Sequence, residues 1–273
     1  MIRRAVKQII IALIFLLIFS GFGFLIYHSI RPAPSCSDGI QNQDEEEIDC
    51  GGSCLPCELV QIRPLEVLWS KAIPTEGSFY DLAAEVTNLN PNYGSGQAYY
   101  RFELIDANDN LIVQYFGTTF ILPNQTKYIV QTRVESSASV YKVNFVFDEI
   151  EWEKPGDYQP PQLVVQQKEY RLLGSKELGF SQVRAVLVNK TNFNFDKVDI
   201  DILLFGSSDR LLALNTTEIR TLLAGQERDF VATWFNQFSG QVVVVKVEAE
   251  TNIFDQDNYL PAGAGEPERF QEY

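Results

Sequence analysis

Histidine is almost missing from this chain: His28 is the only one in 273 residues. It stands just past an apolar run, where an interfacial position suits it better than a catalytic one. Serine–histidine–aspartate and cysteine–histidine catalysis and histidine-held metals are thereby excluded. A basic groove is also lacking. With 22 Lys and Arg against 36 Asp and Glu the chain carries −14, which favours solubility and argues against binding nucleic acid or an anionic lipid surface through a basic patch. No phosphate-cradling glycine motif occurs, since "GSG" at Gly94 to Gly96 has neither the lysine nor the strand-to-helix context. Beyond Cys57 there is no cysteine. No enzyme is expected.

Charge is absent from one stretch in particular, "IIIALIFLLIFSGFGFLIY" from Ile9 to Tyr27. Nineteen residues at about 1.5 Å each reach across a bilayer's hydrocarbon core. Arg3, Arg4 and Lys7 precede this run, and an acidic segment follows it. By the positive-inside rule the N-terminus is cytoplasmic and the rest extracytoplasmic, in a single-pass plasma-membrane protein. The run is longer than a signal-peptide core and lacks a small-x-small cleavage site directly after it, so retention as an anchor is expected over cleavage. Residues 1–31 are read as cytoplasmic tip and transmembrane helix.

All four cysteines lie in "CSDGIQNQDEEEIDCGGSCLPC", Cys36 to Cys57, inside an acidic segment assigned to 32–60. It has almost no apolar residues of its own, so crosslinks or a metal must fold it. Export favours disulfides among Cys36, Cys50, Cys54 and Cys57. Four cysteines allow three pairings, among which Cys36 with Cys54 and Cys50 with Cys57 is favoured. Two alternatives are zinc held by four thiolates and a redox CxxC pair at Cys54 and Cys57. The spacing suits neither, because zinc ribbons present two separated CxxC knuckles and redox pairs open a helix in a βαβ fold. Asp38, Asn42, Glu45 and Asp49 offer oxygen ligands on a glycine-containing loop, the chemistry calcium requires, although the spacing is not that of an EF-hand. A solvated acidic loop is the competing reading.

The pattern Cys36, Asp38, Gly39, Asn42, Glu45 or Glu46, Asp49, Cys50, Gly51, Gly52, Cys54, Cys57 resembles a cysteine-rich motif of exported bacterial and archaeal proteins. It is often found beside a membrane span or between β-domains. The resemblance covers under a tenth of the chain and implies an extracytoplasmic place without implying an activity.

The remainder repeats itself. At an offset of 101, Phe79 falls on Phe180, Ala84 on Ala185, Asn88 on Asn189 and "LPNQ" at Leu122 on "LAGQ" at Leu223. At an offset of 100, Ala98, Tyr100, Phe102 and Leu104 fall on Val198, Ile200, Ile202 and Leu204. Alternation with period two, between turn clusters such as "DANDN" and "FGSSD", predicts antiparallel strands with one buried face. A mainly β fold is expected: two tandem immunoglobulin- or fibronectin-like sandwiches of roughly seven strands each, at 61–154 and 163–255. A stiff Pro-rich spacer at 155–162 would separate them, and a disordered tail at 256–273 would follow. Neither repeat has the Cys…Trp…Cys set of antibody domains. Asp199 and Asp201 are read as the solvent face of a strand, and "DANDN" as a hairpin turn rather than a calcium loop. The sequons at Asn124, Asn189 and Asn215 fit loops or strand ends.

Val86 to Asn88, Phe102 to Ile112 and Leu122 to Gln125 resemble bacterial FxLYD-type β-sandwich domains, which implies a fold and no particular function. The expected role is a membrane-anchored binding or scaffold protein with a protein or surface-polymer partner, contacted through the loops Asn88 to Ser95 and Asn189 to Asn194. An accessory subunit of an envelope secretion, pilus or transport complex is the alternative, with "SGFG" at Ser20 to Gly23 as a helix-packing surface. A thiol-disulfide active protein using Cys54 and Cys57 is a third reading.

Overall fold

Ile2–Ile30 forms a single α-helix, α1, in the computed structural model, which describes residues 2–30, 36–42, 44–156 and 159–261. Every large apolar side chain of α1 from Val6 to Tyr27 is exposed. The helix is therefore apolar on all sides, as a membrane anchor or a signal sequence is. The apolar stretch Val6–Tyr27 has 22 residues, about 33 Å of helix, enough to cross a bilayer. Past it, Cys36–Cys54 and Cys50–Cys57 are disulfide-bonded, and a single helical turn, α2 at Cys57–Val60, ends this first unit, which extends to Ile62.

From Arg63 onward the chain is one unit of antiparallel strands. The first half holds β1 (Glu66–Pro74), β2 (Phe79–Thr87), β3 (Gly94–Ile105), β4 (Leu111–Ile121), β5 (Thr126–Glu135) and β6 (Lys142–Glu153). The second holds β7 (Leu163–Leu172), β8 (Ser181–Asn189), β9 (Asn194–Phe205), β10 (Leu211–Leu222), β11 (Glu227–Trp234) and β12 (Val244–Glu250), followed by the short β13 (Tyr259–Leu260). The repeat read in the sequence is a repeat of topology. Sheet β1-β2-β5 faces sheet β4-β3-β6, and β7-β8-β11 faces β10-β9-β12 in the same order. Register repeats too: Ala84 pairs with Ile129 as Ala185 pairs with Phe230, and Phe102 with Phe145 as Ile202 with Val247. Among the described residues the first sandwich has six strands rather than the expected seven, and the second has the same six plus the short β13, which pairs with β9.

The alternation explains both cores. Ala98, Tyr100, Phe102 and Leu104 turn inward against Leu82, Ala84 and Val86, while Val198, Ile200, Ile202 and Leu204 meet Val183, Ala185 and Leu187. A third buried cluster belongs to neither interior. Ala83, Tyr128, Leu203, Phe205, Leu211 and Leu214, with Trp69, Ile73 and Val130 packed against them, join the outer face of β1-β2-β5 to the outer face of β9 and β10. The sandwiches are thus packed face against face, not held apart by a spacer; residues 157 and 158 of the expected linker lie outside the described residues. Two glycines allow another approach between the halves: a Cβ on Gly96 would stand 2.6 Å from Phe254 Cβ, and one on Gly94 2.8 Å from the same ring.

The equivalent outer faces that do not meet are charged. Arg184 and Asp229, which occupy the places of Ala83 and Tyr128, form an exposed ion pair at 3.7 Å. Arg101 and Glu103, in the places of Asp201 and Leu203, pair at 2.8 Å. The segment expected to begin a disordered tail is folded as far as Pro261: Gln256–Asn258 makes a 3-10 turn, Tyr259 and Leu260 pair with Phe195 and Asn194, and Asn258 is buried. The rest of that tail, 262–273, lies outside the described residues.

Candidate functional site

Three places concentrate polar chemistry. In the cysteine-rich segment the Cα atoms of Cys36 and Cys54 are 5.6 Å apart and those of Cys50 and Cys57 4.7 Å. Closing the longer loop contributes about 3 kcal/mol by restricting the unfolded chain, in a segment whose Ile40, Ile48 and Leu55 are exposed. Cys54 and Cys57 belong to different bridges, so "CLPC" does not form a redox ring. Glu47 Oε and the Cys50 and Cys57 sulfurs converge within 4.8 Å, but sulfurs bonded to each other offer no thiolate. Gly51 and Gly52 take positive φ, +81° and +59°, and Gly52 lies against the Asp44 carbonyl, where no side chain fits.

The four residues expected to offer calcium ligands are brought together, but bonded within the loop itself, the three carboxylates accepting and Asn42 donating. The Asp49 carboxylate accepts the Asp38 and Gly39 amides at 2.9 Å. Asp38 accepts the Ile40 amide and Asn42 Nδ2, each at 2.9 Å, and Glu45 accepts the Asn42 amide at 2.9 Å. Buried Asn42 Oδ1 has no partner. These carboxylates replace the strand partners that so short a segment lacks.

Asn88 and Asn189 form the second place, and both are fully buried. Asn88 Nδ2 donates to the Tyr93 and Leu122 carbonyls at 2.7 and 2.9 Å, and its Oδ1 accepts from Asn90. Asn189 does the same work with Phe193, Leu223 and Thr191. Each carboxamide ties the end of one strand to the start of the next and to the turn before β5 or β11, a turn that Gln125 or Gln226 closes through its own side chain. Asn90 also exchanges two hydrogen bonds with the Arg63 backbone, at 2.8 Å each. The loops expected to meet a partner thus spend their amides internally. The sequons separate likewise: Asn189 is enclosed, Asn215 lies in mid-strand with Nδ2 donating to Thr233 O, and Asn124 is exposed at a turn tip with φ 52°. "DANDN" is the β3–β4 turn, in which Asp106 accepts the Asn108 and Asn110 amides.

The third place is the flank of the seam between the sandwiches. Lys127 of β5, only 5% exposed at its side chain, stands 2.5 Å from Glu250 of β12, 3.0 Å from the Phe120 carbonyl and 3.9 Å above the Phe120 ring. Gln125 donates to the other oxygen of Glu250 at 2.6 Å, and the Tyr128 amide to Glu248 at 3.0 Å. Lys246 reaches the Tyr128 hydroxyl at 2.7 Å. Asp201 stands directly across from Glu248 in the ladder. It is part-buried here, correcting its expected place on a solvent face; Asp199, whose side chain is 40% exposed, pairs instead with Lys197 at 2.8 Å. Burial raises the Glu248 carboxyl to about 7, helped by Glu250, and raises Asp201 to about 7 against the pull of Lys127. The Tyr100 phenol is pushed up to about 12 by burial and then by Asp201. A cleft of about 410 Å³, lined by Leu122, Pro161, Leu163, Val165, Glu248 and Glu250 among others, opens beside these groups.

The cysteine segment was visible from composition, whereas the seam was not. Its signal was the run "ILLF" at Ile202 to Phe205, which abandons alternation because both faces of that strand end are covered. Comparison with known proteins finds no family model that matches the chain and no curated protein similar to it.

Proposed function

We propose that the chain is a membrane-anchored, extracytoplasmic binding or scaffold protein. The observation that carries this reading is the order of parts: an apolar helix exposed on every face, a segment held by two disulfides, and then a single β unit joined by a buried seam. Disulfides persist in oxidising compartments, the side on which the positive-inside rule puts everything after α1. Carboxylates and amides in the knot, the clamps and the seam bond mostly to one another, as structural groups do. A surface for a protein partner is offered where Leu172, Leu178 and Phe235 are exposed at 62, 88 and 72%. They lie at one end of sheet β11-β8-β7, where Leu172 and Trp234 both pair with Ser181. Apolar side chains gathered at an exposed sheet end commonly mark a protein contact.

Protease added to intact cells tests the topology. The β unit should be digested while a cytoplasmic control survives, and protection of the β unit until lysis would overturn the reading. A photo-crosslinker at Phe235 should give a discrete adduct that Leu178→Arg abolishes.

A further inference from the structure

We infer that the seam between the sandwiches is a proton-operated latch: three part-buried carboxylates, Asp201, Glu248 and Glu250, face a single enclosed ammonium, Lys127, so proton uptake seals the contact and proton release loosens it. Among the described residues Lys127 is the only fully buried charged side chain. Its one positive charge is already taken by Glu250 at 2.5 Å. Glu248 and Asp201 stand opposite each other on neighbouring strands, an arrangement in which two negative charges repel.

The groups facing this pair come from each packed element. From β5 come Lys127, the Tyr128 amide on Glu248 and the Tyr128 hydroxyl held by Lys246; from β3, the Tyr100 phenol; from β10, the Thr216 hydroxyl on Asp201. β2 adds Glu85, which acts on Tyr128 and Lys246. Asp199 and Glu218 lie further out, beside Lys197 and Arg220. Lys246, two residues from Glu248 on β12, feels its charge while held at the Tyr128 hydroxyl, and Lys168 of β7 lines the cleft beside Glu248 and Glu250, but it is Lys127 whose charge bears on both Asp201 and Glu248.

The sign follows from which state holds the proton. Glu248 and Asp201, ordinarily at 4.5 and 3.8, are raised to about 7 in the docked state. Docked sandwiches bind more protons than opened ones between those limits, so docking is strongest at the acid end, weakens as pH rises toward 7 and levels off above it. The two groups titrate as a pair.

Hydrogen exchange on the full chain in detergent micelles tests this, with protection corrected for the intrinsic pH dependence of exchange. Between pH values of about 5.5 and 8.5, protection of the Tyr128 amide should fall by at least about tenfold, the ratio that one unit of carboxyl shift between two states produces. The inner-strand Phe102 amide should keep its protection. In Asp201→Asn/Glu248→Gln, which imitates the protonated pair, the pH dependence should vanish. A second measurement needs no variant: the infrared band of protonated carboxyl in the natural chain should persist above pH 5.5 and disappear with a midpoint near 7. Protection at Tyr128 that ignores pH, or a carboxyl band already gone by pH 5.5, would overturn the latch.

Discussion

Lys127 and Glu250 are separated by 123 residues in the chain and by 2.5 Å in space, each donated by a different sandwich. Replacing Lys127 by Met keeps the length of the side chain but leaves Glu250 buried without its cation. Removing one partner of a buried pair costs about 3–5 kcal/mol. Urea unfolding of the full chain in micelles should show that loss for Lys127→Met, and Lys127→Met/Glu250→Gln should recover part of it.

The two clamps should prove equally structural. Asn189→Ala removes a carboxamide whose nitrogen serves the Phe193 and Leu223 carbonyls and whose oxygen serves Thr191. Buried groups left without partners cost about 1–3 kcal/mol each, so a drop of about 2–4 kcal/mol is expected in chemical denaturation. Asn88→Ala should lose a similar amount. Replacement of the exposed Asn124 by Ala should stay within about 0.5 kcal/mol, as surface changes do.

Gly117 lies under the ring of Tyr100, where an added Cβ would collide with it. Tyr100 stacks at 5.2 Å on Phe145 and meets Phe102 edge-on at 5.8 Å, so it cannot withdraw without disturbing both. Gly117→Ala should destabilise by about 1–3 kcal/mol, the usual cost of overpacking. Near-ultraviolet circular dichroism should report the altered aromatic packing.

Gly52 poses the same question for the cysteine knot. Its positive φ and its contact with the Asp44 carbonyl leave no place for a methyl group. Gly52→Ala should therefore misdirect pairing, so that peptide mapping finds bridges other than Cys36–Cys54 and Cys50–Cys57. Gly39→Ala, also at positive φ but with open space around it, should retain the native pairing.

How far the sequence could be read depends on the range of each interaction. Alternation at Ala98 to Leu104 is local, since it needs only that one face of a strand be buried, and it located both sandwiches. The equivalence of Asn88 and Asn189 was visible as a repeat, but their role was not. An asparagine beside "NPN" or "TNF" looks like a turn until the carbonyls of Leu122 and Leu223, more than thirty residues away, are seen to converge on it. Asp201 was misplaced for a similar reason. Its strand neighbours Ile200 and Ile202 define an inner face correctly, yet what covers the outer face is Lys127 and Tyr128 of the other half. The same long-range covering explains why the segment after Asp255, polar in composition, is folded: Asn258 is held by Thr251 and Asn252.

The charged outer faces decide how long this array can become. Head-to-tail contacts between like modules leave one donor face and one acceptor face free, and such contacts extend without limit unless something stops them. Here the stop is built into both ends. Arg184 and Asp229 stand where Ala83 and Tyr128 would have to be for a third module to dock, and Arg101 and Glu103 stand where Asp201 and Leu203 would be needed at the opposite end. A further module of this kind would meet an ion pair at either face, so the contact that joins these two halves does not repeat itself between molecules.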